Sequence, residues 1–267
     1  MPLIGSIKFD TTGWTLDHES SDVSKWSNDK NQYLSFHFFE KRPDIPCHLD
    51  DLNGLRSAYR NGLKHSGGAL ISLDRVQAGG MDCIKLVFKS EKPNGIVYVG
   101  SLTFPFDDFS YVVKVQCGQT DGSSGRDSKV MEQLMAAGVV SLDSATKVVV
   151  GWRSDPYDSE FSADFLRNQS DDEAYDAQFP EHPLTEVRNA LARIIDSIAA
   201  DDAVLQSSKF QSHEMTGNGQ GDAKEEKGGS QEKIEDSDGK DETADKGAPE
   251  TAKPGTARKE KPWWKMW

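Results

Sequence analysis

Nowhere in its 267 residues does this chain carry an apolar run long enough to cross a bilayer, and its mean hydropathy is −0.65. Cysteine is scarce. Cys47, Cys83 and Cys117 are odd in number, and a chain of this size needs no staples, so a disulfide framework is excluded and reduced thiols in the core are expected. Basic residues are in deficit, with 31 Lys and Arg against 44 Asp and Glu, a net charge of −13. Residues 1–216 hold 21 basic and 32 acidic side chains and so carry −11 of it. Such a body repels nucleic-acid phosphates, which argues against a nucleic-acid partner. The first eight residues, Met1-Pro-Leu-Ile-Gly-Ser-Ile-Lys8, lack a basic region followed by an apolar run. A soluble cytoplasmic protein is the expectation.

Residues 1–212 read as one α/β domain. Strands are expected at 14–17 and 23–26. A stronger one spans Tyr33–Phe39, where Leu34, Phe36 and Phe38 alternate with Ser35 and His37 in the period of a half-buried strand. Asp50 or Asp51 caps a helix whose Leu52, Leu55, Tyr59 and Leu63 form one stripe, ended by Gly67-Gly68. Four strand-like runs follow at 70–76, 81–89, 96–104 and 111–117. Their turn-rich connectors are too short for parallel crossovers, so the runs form antiparallel hairpins. Tyr111, Val113, Val115 and Cys117 share one face of the last run; Val112, Lys114 and Gln116 share the other.

A helix is expected over 126–137 with Val130, Met131, Leu134 and Met135 inward, then a last strand at 147–152. Residues 154–181 read as a solvated acidic arm, pinned by Tyr157, Phe161, Phe165, Tyr175 and Phe179. Pro183 opens a C-terminal helix over 183–199 with Leu184, Val187, Leu191, Ile194, Ile195 and Ile198 on one side. The fold class expected is α+β: an antiparallel meander flanked by helices, an α/β/α sandwich, followed by a disordered tail.

This order of elements resembles the α/β/α sandwich of the PsbP-like superfamily over about residues 34–134. Runs such as Leu70-Ile-Ser-Leu-Asp-Arg-Val76 and Met81-Asp-Cys-Ile-Lys-Leu-Val-Phe88 carry the resemblance. The segments 98–117 and 175–188 also resemble those of uncharacterised bacterial proteins. The superfamily resemblance implies a binding module without catalysis. The absence of a lipoprotein or secretory leader departs from its exported members.

Candidate chemistry is sparse. The loop 118–125 joins a strand to a helix, but the phosphate-loop pattern needs Gly-Lys-Ser/Thr where this chain has Gly125-Arg126-Asp127. Cys47-His48 with Asp50 and Asp51 supplies metal-ligand types without a second pair at ligand spacing. The acids of 154–181 do not match a calcium loop. No catalytic residue, metal ligand or cofactor site is assigned, and an enzyme whose site is assembled from scattered residues stays open.

From 213 to 260 the chain is expected to be a disordered charged linker, because its composition offers little that can offset the entropy of ordering. Residues 261–267 then form an aromatic hook. Trp263, Trp264 and Trp267 are anchors for a protein partner, with Lys261 and Lys265 supplying rim charge. The same Trp and Lys set suits an anionic membrane surface. The function expected is a non-enzymatic cytoplasmic adaptor with a tethered docking peptide. The alternative is a peripheral membrane protein.

Overall fold

The computed structural model describes residues 2–119 and 125–212. By internal contacts the chain divides into Met1–His213 and Glu214–Trp267. In chain order the first unit runs β1 (Ile7–Lys8), β2 (Thr15–Glu19), β3 (Val23–Ser27), β4 (Tyr33–Phe39), α1 (Leu52–Lys64), β5 (Gly68–Ala78), β6 (Met81–Lys92), β7 (Gly95–Pro105) and β8 (Ser110–Gln119). It continues with α2 (Arg126–Ala136), β9 (Ser141–Leu142), β10 (Val149–Val150), α3 (Pro183–Ser197), β11 (Ala199–Ala200) and α4 (Asp202–Leu205).

Seven strands form one antiparallel sheet in the order β2-β3-β4-β8-β7-β6-β5. The hairpins β5-β6, β6-β7 and β7-β8 follow from the short connectors. Gly95, at φ +121°, closes β6 onto β7, and a Cβ there would approach the Gln119 carbonyl oxygen at 2.5 Å. β4 joins β8 by register Leu34↔Val115 and Phe36↔Val113, which aligns the apolar alternation of both strands.

Helices cover both faces. α3 lies over β7 and β8, where a Cβ on Gly100 would come within 2.6 Å of Leu191 and Val187; only glycine allows so close an approach. Leu184, Val187, Leu191 and Ile194 there join Leu34, Phe36, Tyr98, Leu102, Phe104, Tyr111, Val113 and Val115 in the main core. α1 lies on the opposite face against β5, with Leu55, Tyr59 and Leu63 buried and Leu63 against Gly68. The Asp51 carboxylate accepts from the Gly54 N–H at 2.8 Å and caps this helix.

Three local expectations are corrected. In α2 only Val130 of the four named apolar residues is fully buried; Met131 and Leu134 are partly so, and Met135 is exposed. The place of a buried apolar residue is taken by Arg126, because α2 packs on the polar turn at 169–171 instead of the sheet. The strand at 147–152 shrinks to Val149–Val150, paired with Ser141–Leu142 outside the main sheet. Its hairpin stands on a small separate core of Val130, Val140, Trp152 and Phe179.

The third correction concerns 154–181. It is irregular and its aromatics do pin it, but its acids are not all solvated. Asp155 and Asp171 are buried. Tyr157 lies under the Arg56 guanidinium, 3.8 Å from its ring centre, and Phe161 under Arg60 at 4.9 Å. β1, β11 and α4, all very short, had no counterpart in the sequence expectations.

Candidate functional site

Two polar assemblies lie on opposite faces of the sheet. The first is where the arm closes on the α3 face. Lys89 on β6 is paired by register with Tyr98 on β7, and Tyr98 with Cys117 on β8. Into this row the arm inserts Asp171, whose Oδ2 meets Lys89 Nζ at 2.6 Å and accepts from the Asn168 N–H at 2.9 Å. Arg126, wholly buried, donates to the Ser170 carbonyl at 2.6 Å, the Asp172 carbonyl at 2.9 Å and the Thr185 hydroxyl at 3.0 Å. Asp176 bridges Arg126 at 2.9 Å and Arg188 at 2.8 Å. His182 caps α3 by accepting from the Leu184 N–H through Nδ1, and its ring packs edge-on against Tyr98.

Burial chiefly, with Arg126 next, holds the His182 imidazole down to about 4, so it is neutral at pH 7. Burial pushes the Tyr98 phenol up, with Asp171 adding to the shift. A site of catalysis needs a nucleophile or base that substrate can reach. Here the charges face one another and the groups are enclosed, so the arrangement acts as a clamp fastening the arm.

The second assembly is on the α1 face, beyond the strands that α1 covers. Gly100 faces α3, so its neighbours Val99, Ser101 and Thr103 point the other way. Register then sets one cross-strand row: His18 on β2, Lys25 on β3, Ser35 on β4, Lys114 on β8 and Ser101 on β7. Leu86 on β6 and Leu73 on β5 extend it toward α1. The neighbouring row runs Val23, His37, Val112, Thr103 and Ile84. Across five strands the first row therefore carries only imidazole, ammonium and hydroxyl groups.

Ser35, Ser101, Thr103 and Lys114 are each less than 8% exposed. Among the described residues the hydroxyls of Ser35, Ser101 and Thr103 have no hydrogen-bond partner. An unsatisfied buried hydroxyl costs about 1–3 kcal/mol, and here Ser35 and Ser101 lie on either side of Lys114 while Thr103 is two residues on from Ser101. Burial, then Lys92, holds the Lys114 amine down to about 6. Burial, then Lys114 and Lys25, holds His37 down to about 4, with Asp22 opposing. The alternation at Tyr33–Phe39 suggested that Ser35 faces solvent; it is buried, and His37 is partly so. The sequence placed Ser35 and Lys114 on the polar faces of their own strands; the pairing of those strands, which sets Ser35 opposite Lys114 and His37 opposite Val112, came only with the structure.

The other candidates separate. Cys47 is half-buried, its thiol pushed up by burial and by Asp51, so it is a poor nucleophile. His48 is exposed and lies 3.2 Å from Asp50, which also pairs with Arg75. Among the described residues no three His, Cys, Asp or Glu side chains gather as a metal site. Of the loop 118–125, residues 120–124 lie outside the described residues, as do Lys261, Trp263, Trp264, Lys265 and Trp267.

No protein-family model and no curated protein sequence matches the chain. Among solved structures it is similar to a protein of Bacteroides thetaiotaomicron at 8% identity and a TM-score of 0.29, over 43% of this chain and 39% of that one. The match thus spans less than half of that protein. A Pseudomonas aeruginosa protein of unknown function matches at 10% identity and a TM-score of 0.29, over 46% of this chain and 93% of that one. LpqN of Mycobacterium tuberculosis, involved in cell envelope biogenesis, matches at 17% identity and a TM-score of 0.26, over 50% of this chain and 78% of that one.

Proposed function

We propose that the protein is a non-enzymatic binding module of PsbP-like type, acting in the cytoplasm. Its sheet face at Ser35, Lys114, Ser101 and Thr103 takes a ligand, and its terminal residues Lys261, Trp263, Trp264, Lys265 and Trp267 recruit a protein partner. The observation that carries this reading is the set of buried hydroxyls without partners around Lys114. Natural folds rarely keep such groups except where function uses them. The absence of a reachable nucleophile and base together among the described residues supports binding over catalysis.

Affinity capture tests it, with full-length protein, a form ending at Glu260, and full-length Lys114→Glu, from soluble and membrane fractions separately. Proteins lost on truncation support the hook, and components lost with Lys114→Glu support the sheet face. Identical captures from all three forms overturn the proposal. Enrichment with anionic membranes, lost on truncation, favours the peripheral alternative. Among the described residues no helix is long and apolar enough to cross a membrane.

A further inference from the structure

We propose that the outer face of the β9-β10 hairpin is a self-association surface, on which two copies of this chain pack through Val139, Val148 and Val150 about a two-fold axis. The inference is independent of the sheet face and of the terminal residues.

Exposure is the first support. Of the ten large apolar side chains exposed among the described residues, five lie within 135–150: Met135, Val139, Leu142, Val148 and Val150. Val149 packs on the small core of Val140 and Trp152, so strand alternation turns Val148 and Val150 away from it, and they are 58% and 53% exposed. A Cβ on Gly151 would come within 2.6 Å of the Val139 carbonyl oxygen, which sets Val139, itself exposed, beside the end of β10. The residue opposite Val150 by register is the uncharged Ser141. Single exposed aliphatics are ordinary, but a contiguous group of them marks a surface that something covers. A patch of this size suits a reversible contact.

Charge points to the occupant. Residues 1–216 carry a net −11, whereas 135–152 hold one acid, Asp143, and one base, Lys147. Two acidic bodies repel each other, and this neutral stretch is where they can touch. A basic partner drawn by charge would settle instead on the acidic surface outside it. Asp143 and Lys147 stand at the two ends of the hairpin turn, with the Lys147 N–H donating to the Asp143 carbonyl at 2.9 Å. Asp143 Oδ1 accepts from the Ala145 and Thr146 N–H groups and from the Thr146 hydroxyl at 2.7–3.0 Å, which fixes the carboxylate. A two-fold axis across the hairpin brings each copy's Lys147 to the other's Asp143, so one acid and one base make the patch complementary to itself. Lys147 supplies a further sign. Its φ is +59°, in the left-handed region where turns favour glycine or asparagine. A lysine at such a position points to a use for its ammonium group that the turn itself does not provide.

Sedimentation velocity on the full chain over a range of concentrations tests this. A dimer that dissociates on dilution is expected. Val148→Asp and Val150→Asp should each weaken it about tenfold or more, by setting like charges against each other across the axis. Lys147→Glu should weaken it too, since acid then faces acid. All three side chains are exposed, so thermal unfolding of the dilute variants should match wild type. The double change Val148→Thr with Val150→Thr keeps both β-branched shapes and adds no charge; it is also expected to weaken the dimer, which separates a lost contact from a disturbed hairpin. Sedimentation as a monomer at every concentration overturns the proposal. A dimer left unchanged by all the valine variants places the contact elsewhere and overturns it as well. A monomer that cosediments with phosphatidylcholine vesicles, and is released from them by Val148→Asp, assigns the face to lipid and overturns self-association.

Discussion

Lys89 Nζ and Asp171 Oδ2 meet at 2.6 Å with both side chains at most 2% exposed, joining β6, next to the edge of the sheet, to a segment 82 positions further along the chain. Breaking a buried pair from one side leaves an uncompensated charge, which costs about 3–5 kcal/mol. Asp171→Ala and Lys89→Met are each expected to lose that much in urea unfolding. The double change Lys89→Met with Asp171→Leu is expected to recover much of the loss, because neither charge is then stranded. Strictly additive losses in the double variant would contradict the pairing.

From a wholly buried position Arg126 donates to the Ser170 and Asp172 carbonyls and the Thr185 hydroxyl and pairs with Asp176, tying the arm to α3. Arg126→Ala is expected to free the arm before it unfolds the sheet. Limited proteolysis should then cut within 154–181 at low protease, with a stability loss of about 3–5 kcal/mol. An unchanged digestion pattern would show that the arm is held by its aromatics alone.

The contact of α3 with β7 predicts a sharp contrast between two glycines. Gly100→Val drives a branched side chain into Leu191 and Val187 and is expected to destabilise by about 1–3 kcal/mol. At Gly118 an added Cβ meets nothing within 4 Å, so Gly118→Ala should leave the melting temperature nearly unchanged. Calorimetry of the two variants side by side is the check.

Acid should weaken the fold through His182 and His37. Each is held down to about 4 by burial, whereas an unfolded imidazole protonates near 6.5. Between those values the unfolded state binds more protons, so stability is lost as pH falls from 6.5 toward 4. For His182 the loss is on the order of 1–3 kcal/mol. Melting temperatures of wild type and His182→Gln across this range test it: the variant's slope should be shallower, and equal slopes would remove His182 from the account.

The central hairpins, α1 and α3 were legible in the sequence because their signals are local. Tyr33–Phe39 is bounded as expected, and Leu55, Tyr59 and Leu63 face inward as their spacing requires. Burial of Ser35 and Lys114 was not legible from alternation, which separates two faces but cannot say whether both are covered. The acidic arm misled for a related reason. Its charge count suggests solvation, while the partners that draw Asp155, Asp171 and Asp176 inward are Arg60, Lys89, Arg126 and Arg188, supplied by distant elements. The terminal tryptophans remain an argument from sequence.

Tyr157 does more than anchor the arm. Its hydroxyl accepts from the Leu73 N–H at 2.9 Å and lies 3.4 Å from the Leu73 carbonyl, on an edge strand of the sheet. At the opposite edge, β2 is short, carries Asp17, His18 and Glu19, and shifts register between Leu16 and His18. One edge is thus plugged by a phenol and the other roughened by charge and irregular pairing, two ways of denying an incoming strand a template. A cut in the arm would therefore first make the protein prone to intermolecular sheet growth, and turbidity would report the injury before any assay of recognition did.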